Sequence, residues 1–160
     1  MKTIYHDTVK YNDHVIDVYA SEQGLVFVGS YDQENEINEF FTNIEIVEAV
    51  DKMKPYIQQL NEYFNGERKS FDLKLDIDTS SFNQQVWEGL QTIPYGETTT
   101  YSEIAEQINN PKAVRAVASA IGKNPLTIVV PCHRVIGKDG QLRGYRGGLN
   151  MKQSLLELEK

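Results

Sequence analysis

The spacing of apolar residues changes part-way along this chain, and that change limits the fold more than any other feature. In the first forty residues they fall in short β-branched and aromatic runs. HVIDVYA (14–20) and LVFVGSY (25–31) read as strands joined by the turn-forming stretch Ser21-Glu22-Gln23-Gly24. In IEIVEAVDKMKPYIQQLNEYFNG the spacing becomes helical, with Ile46, Val47, Val50, Met53, Ile57, Leu60 and Phe64 on one stripe. Pro55 divides or bends that helix and Gly66 ends it. FDLKLDID (71–78) returns to period two and predicts one more strand. Small polar residues at Asp78–Ser81 then mark a linker.

Beyond the linker the pattern is helical and then irregular. SFNQQVWEGLQTI places Phe82, Val86, Leu90 and Ile93 on one face. TYSEIAEQI is a short helix that Thr100 caps, with Glu103 at the capping-box position. NNP breaks it, and Pro111 opens the next helix, KAVRAVASAIG, which Gly122 ends. Two short helices around such a turn have the outline of a helix-turn-helix. TIVV (127–130) is read as a strand, KDG (138–140) as a hairpin turn and LNMKQSLLELEK as a closing helix. The expected fold is α+β, with a domain over 1–78 that supports the structure and a helical domain over 79–160. A chain of 160 residues accommodates that division.

The net charge of −7 conceals a polarity. Residues 1–90 hold 7 basic and 17 acidic side chains. Between Gln107 and Lys152 stand Lys112, Arg115, Lys123, Arg134, Lys138, Arg143, Arg146 and Lys152, opposed only by Asp139. A block of one sign marks an anionic partner. The helix KAVRAVASAIG points the same way. Ala113, Ala116, Ala118, Ser119 and Ala120 permit close approach, and Arg115 has no acidic residue at 111, 112, 118 or 119 to pair with. Core packing and a solvated arginine are the plainer explanations. No apolar run approaches the roughly 20 residues of a membrane span, and MKTIYHDTVKYND lacks a signal-peptide core. A cytoplasmic home is expected.

Cys132 is the single cysteine, so it builds neither an internal disulfide nor a thiolate metal cluster. Many lone cysteines are simply buried small hydrophobes. Here Pro131 fixes the backbone before it, and His133 and Arg134 follow. Cationic neighbours bring a thiol from about 8.5 to about 3.5–7.5, and the thiolate is the nucleophile. A third group would have to orient the histidine. Glu157 and Glu159 are both candidates, and spacing does not choose between them.

PCHRVIG resembles the active-site motif of the O6-alkylguanine-DNA alkyltransferases, the methylated-DNA–protein-cysteine methyltransferases. The resemblance covers most of 82–159. FNQQVWEGLQTIPYGETTTYSEIA is similar to their opening helix and the Pro-x-Gly…Thr-Tyr-x-x-Ile-Ala stretch. RAVASAIGKNP resembles their recognition helix, and GYRGGLNMKQSLLELE their closing loop and helix. The first 75 residues match in general character only, and there the family implies a ribonuclease-H-like sheet domain.

The resemblance implies a role for each matching position. Cys132 accepts the alkyl group, His133 deprotonates it through a water, and Glu159 holds the histidine tautomer. Asn124 bonds backbone near the site and links it to the DNA-binding helix. Tyr101 donates to the leaving guanine and presses on the DNA backbone. Arg115 fills the space of the extruded nucleotide, and Ala116, Ala118, Ser119 and Arg134 lie against DNA. Backbone of Cys132, Val135 and the Arg146–Gly147 loop reads the base while Tyr145 closes over it. No cofactor is implied. The partner is duplex DNA with an alkylated guanine, or less well an O4-alkylthymine, bound by a monomer.

Two positions depart from the family's common pattern. Ala118 stands where many relatives have glycine, and Arg146 puts a bulky cation where a small residue is common. Some relatives carry zinc in the N-terminal half. Here only His6 and His14 are available as ligands there, so no zinc is expected. Two rivals are weighed against this reading. A non-catalytic lesion-binding protein would have replaced Cys132. A cysteine hydrolase built on Cys132, His133 and Glu159 would turn over repeatedly and would not need Arg115.

Overall fold

The computed structural model describes residues 1–160, which divide into two compact units, 1–77 and 78–160. The fold is α+β.

In the first unit β1 (Lys2–Tyr11) pairs antiparallel with β2 (His14–Ser21), and β2 with β3 (Gly24–Val28). The β1–β2 connection is a two-residue turn, with Asn12 at φ 47° and Asp13 at φ 68°. Two successive positive φ values match the right-handed twist of the flanking strands, and Asn and Asp tolerate them. After a 3-10 turn at Glu36–Glu39 the chain returns as β4 (Ile44–Glu48), parallel to β1, for a sheet order β3-β2-β1-β4. Ile4, Tyr19, Val26, Phe27 and Ile37 form a core cluster. Helix α1 (Val50–Phe64) packs on β1 and buries Met53, Leu60, Tyr63 and Phe64.

Three expectations for this unit need correction. The helical stripe was expected to include Ile46 and Val47, but both belong to β4. IEIVEAV satisfies period two and period 3.6 together, and pairing with β1 decides between them. Of the two expectations for Pro55, division is overturned, because α1 runs through it from Val50 to Phe64. FDLKLDID alternates in exposure but forms no ladder. Only Leu75 bridges to Leu25, through Leu25 N–H to Lys74 O at 2.9 Å and Asp76 N–H to Leu25 O at 2.8 Å. Gly24 allows that approach, because a Cβ there would stand 2.6 Å from Lys74 O. His6 and His14 lie in strands. His6 has Glu48 2.6 Å from Nδ1 and Asp17 2.8 Å from Nε2, and His14 pairs with Asp32 at 2.6 Å.

In the second unit α2 (Ser81–Gln91), α3 (Tyr101–Gln107) and α4 (Val114–Gly122) pack against one another. Ser80 caps α2 by accepting from Asn83 N–H at 3.2 Å. Trp87 is buried on α2, and its Nε1–H donates to Ala120 O of α4 at 2.8 Å. Thr100 caps α3 through Glu103 N–H at 3.2 Å, whereas the Glu103 carboxylate accepts from Thr99 Oγ1 at 2.8 Å and completes no reciprocal box. β5 (Thr99–Thr100) pairs in parallel with β6 (Val135–Ile136). That short pairing carries the segment after Cys132 to the start of α3. Helix α5 (Leu149–Leu158) follows Gly148 at φ 88° and closes the chain.

Here too the sequence misled in places. Pro111 lies in the turn three residues before α4 instead of opening it. TIVV is not a strand. Ile128 has φ 73° at the centre of a three-residue turn, with Val129 N–H on Thr127 O at 2.8 Å. A second such turn follows around Pro131, with Cys132 N–H on Val130 O at 2.7 Å. A β-branched residue at positive φ is strained by about 1–3 kcal/mol, and such strain clusters at functional sites. KDG does turn, with Gly140 N–H on Gly137 O at 2.9 Å, but β6 acquires no hairpin partner.

Candidate active site

The turns at 127–132 deliver Cys132 into a 3-10 turn, Cys132–Arg134, that ends in β6. The thiol is 5% exposed and stands in the wall of a cavity of about 700 Å³. Burial pushes its pKa up, because a thiolate loses hydration there. Asn124, Arg146 and Lys152 oppose that shift, the first by a hydrogen bond and the others by charge. Asn124 is a buried hub just past α4. Its Nδ2 donates to Val130 O at 2.9 Å and to Cys132 Sγ at 3.3 Å, while its Oδ1 accepts from Leu126 N–H at 2.9 Å.

His133 is fully buried, and burial lowers its pKa despite the carboxylate beside it. Its Nε2 lies 2.6 Å from Glu159 Oε2. An ionised carboxylate only accepts, so Nε2 carries the proton and the neutral ring presents its lone pair at Nδ1. That Nδ1 is buried and has no hydrogen-bond partner within the protein. Glu159 is 3% exposed and also receives Arg134, Nε to Oε1 at 2.8 Å and Nη2 to Oε2 at 3.0 Å. Arg134 Nη1 donates to Ile93 O at 2.7 Å. The geometry selects Glu159 over Glu157, which is exposed and bonds Lys160 at 3.0 Å.

Arg134 therefore contradicts two expectations. It is 6% exposed, with its guanidinium turned onto Glu159 and Ile93, so it does not face DNA. Nor does it act on the thiol, where the cations are Arg146 and Lys152.

The same cavity is lined by Tyr101, Arg115, Ala118, Asn124, Tyr145 and Arg146. Tyr101 is half-buried at the start of α3. Its hydroxyl pKa is raised, chiefly by burial and then by nearby Cys132, so it stays a donor. Arg115, Ala116, Ala118 and Ser119 are exposed on α4, opposite the buried Val117, Ala120 and Ile121. Val135 is buried in β6 opposite Thr99, and neither Val135 nor Gly147 lines the cavity. Gly147 is packed so closely that a Cβ there would overlap Met151 Sδ and stand 3.0 Å from the Tyr145 ring.

Sequence reasoning missed Lys152 and Arg143 as site residues. Lys152 is fully buried, and its Nζ donates to Arg143 O at 2.8 Å. Burial pulls its pKa down to about 8, and Cys132 opposes that shift. The available signal was spacing. Lys152, Leu155 and Glu159 fall three and seven apart, which puts Lys152 on the buried stripe of α5 and Glu159 in line with it just past the last turn. Arg143 lines the cavity and lowers the Tyr101 pKa.

With that geometry in place, the comparisons are decisive. Residues 4–77 match the family model described as 6-O-methylguanine DNA methyltransferase, ribonuclease-like domain, and 81–160 match the DNA binding domain of the same description. The chain belongs to the 6-O-methylguanine DNA methyltransferase family. It is 46% identical over 165 residues to the inducible methylated-DNA–protein-cysteine methyltransferase of Bacillus subtilis, across 99% of this chain and 91% of that one. Among solved structures it resembles the Mycobacterium tuberculosis O6-methylguanine methyltransferase, with TM-score 0.83 and 41% identity over 98% of this chain and 93% of that one. A second structure of that organism's family member, OGT in complex with DNA, matches with TM-score 0.83 and 41% identity over 99% and 92%. No helix of this family member is long and apolar enough to cross a membrane.

Proposed function

We propose that this chain repairs DNA by moving the alkyl group of O6-alkylguanine onto its own Cys132. The observation that carries the reading is one constellation. A thiol stands at a cavity wall, beside a histidine whose neutral tautomer a buried carboxylate fixes, and a protonated phenol shares the cavity.

The steps follow from those groups. His133 Nδ1 takes the thiol proton through a water. Asn124 Nδ2, Arg146 and Lys152 stabilise the thiolate against the cost of burial. The sulfur attacks the alkyl carbon, and the C–O6 bond breaks with its electron pair kept by the purine. Tyr101 O–H donates a hydrogen bond to that purine, and the proton that guanine gains from water is balanced by the thiol proton that His133 passes to water. Glu159 keeps His133 in the base-competent tautomer, and Arg134 keeps Glu159 ionised. The product is a thioether. The chain has no second thiol to cleave it, so each molecule acts once.

An alkyl group on O6 is inaccessible inside a base stack, so the nucleotide must leave the duplex, at a cost of roughly a few kcal/mol. The small exposed face of α4 suits the groove, and Arg115 takes the vacated space. The exposed lysines of the basic stretch, Lys112, Lys123 and Lys138, hold the phosphates. The substrate is duplex DNA with an alkylated guanine, or less well an O4-alkylthymine, taken by a cytoplasmic monomer. Arg146 and the Gly147 contact with Tyr145 shape the base-reading loop.

Intact-protein mass spectrometry tests this. After incubation with an O6-methylguanine duplex, the protein should gain the mass of one methylene and Cys132→Ala should gain nothing. A methylated Ala variant would overturn the assignment of the acceptor.

A further inference from the structure

We propose, building on the alkyl-transfer reading above, that this site favours lesions whose O6 substituent is anionic, such as carboxymethyl, over neutral substituents of the same shape. The cavity wall holds three arginines, Arg115, Arg143 and Arg146, and neither aspartate nor glutamate. Lys152 adds a buried cation whose hydrogen-bond acceptor is a main-chain carbonyl, Arg143 O, at 2.8 Å. With Arg115 committed to the duplex, the fields of Arg143, Arg146 and Lys152 reach the part of the cavity between Cys132 and Tyr101. Arg146 and Lys152 act on the Cys132 sulfur, and Arg143 acts on the Tyr101 hydroxyl. Arg143 shares its charge with Asp139 at 2.7 Å, but that contact is on the exposed side, where each partner is about half exposed.

A methyl or ethyl group uses none of this potential. A carboxylate on the transferred carbon would meet it directly, in surroundings where charges interact more strongly than in water. Without cations, the same carboxylate would repel the incoming thiolate. The step itself is unchanged. The Sγ–CH2 bond forms, the CH2–O6 bond breaks with its electron pair kept by the purine, and the thiol's proton is balanced by the one that guanine gains. The protein product is S-carboxymethylcysteine at position 132.

The test uses three duplexes that differ only in the lesion: O6-methyl-, O6-carboxymethyl- and O6-carbamoylmethylguanine. The last is the neutral isostere of the second. Single-turnover labelling of Cys132 is followed by intact mass at saturating protein, so that affinity for DNA does not enter. Carboxymethyl should transfer about tenfold faster than carbamoylmethyl, as expected for one added charge interaction at intermediate dielectric. Arg146→Gln should bring that ratio toward one, while Arg146→Lys should retain it. Equal rates in the wild type, or a preference untouched by Arg146→Gln, would overturn the proposal. Should Arg146→Gln fail to fold, the wild-type ratio decides alone. Absence of transfer from all three duplexes, methyl included, would instead overturn the alkyl-transfer reading on which it rests.

Discussion

Arg134 grips Glu159 with two bonds, Nε to Oε1 at 2.8 Å and Nη2 to Oε2 at 3.0 Å, and leaves Oε2 also facing His133 at 2.6 Å. The His133 ring is thus backed by a carboxylate whose charge Arg134 compensates. Its imidazole stays uncharged at neutral pH because burial opposes protonation and Arg134 cancels part of the pull of Glu159.

Arg134→Met tests that arrangement. It strands a buried carboxylate, so stability should fall by about 3–5 kcal/mol in denaturant titrations. In the protein that remains folded, Glu159 acts on His133 alone and the histidine pKa rises. The acidic limb of the pH–rate profile should move to higher pH, because the base must be neutral to accept the thiol proton. An unmoved limb would show that Arg134 only supports the fold.

Lys152 gives a second pH dependence, of defined sign. Its folded-state pKa of about 8 lies below the ordinary 10.5, so between those values the unfolded chain holds more protons. The penalty of burying the charge is therefore full below pH 8 and is relieved as pH rises toward 10.5. Measured in a Cys132→Ala background, which removes the opposing thiol, the stability deficit relative to Lys152→Met should shrink across that window. The change should be on the order of 3 kcal/mol. A constant deficit would argue against a buried ammonium.

Asn124→Ala should act on both fold and reactivity. It leaves Leu126 N–H without its partner, removes one of the two donors to Val130 O, which keeps Cys132 N–H, and removes the donor 3.3 Å from the sulfur. A loss of about 1–3 kcal/mol is expected from the one buried group left unsatisfied. The thiol should also titrate at higher pH, which a pH series of iodoacetamide labelling would read.

Arg115→Ala should leave stability within about 0.5 kcal/mol, since the side chain is exposed. Repair of duplex should slow by tenfold or more, an expectation of roughly 1.4 kcal/mol in the barrier. Reaction with the free modified base should hardly change. Equal slowing of both would contradict a role in nucleotide extrusion.

The helices and the strands β2 and β3 were legible because each satisfies one periodicity and carries its own stop signal, whereas β1 was not singled out. Thr100 and Gly66 mark such ends. What stayed hidden depended on partners distant in sequence. Ile44–Glu48 becomes a strand only because β1 offers an edge. Leu75 contributes one bridge where eight alternating residues promised a ladder. Ile128 adopts a backbone conformation that no isoleucine advertises. At the site, Cys132 stood out as the single thiol, set after Pro131 and before His133 and Arg134 in PCHRVIG. The destination of Arg134 did not, because a cation reads alike in sequence whether it faces solvent or a buried carboxylate. Lys152 was concealed in the same way among its basic neighbours.

Asn124 touches the reacting sulfur and also sits immediately beyond the last turn of α4. A carbon joined to that sulfur is brought up against an amide that is itself tied to two stretches of backbone. Under the proposed reaction the spent molecule would have to give up its original geometry where Asn124 joins Cys132 to the end of α4. On the alkyl-transfer proposal, completion of the reaction would be written into the very contact that primes it, and α4, the helix proposed to lie on the duplex, would be the first element placed to register the difference.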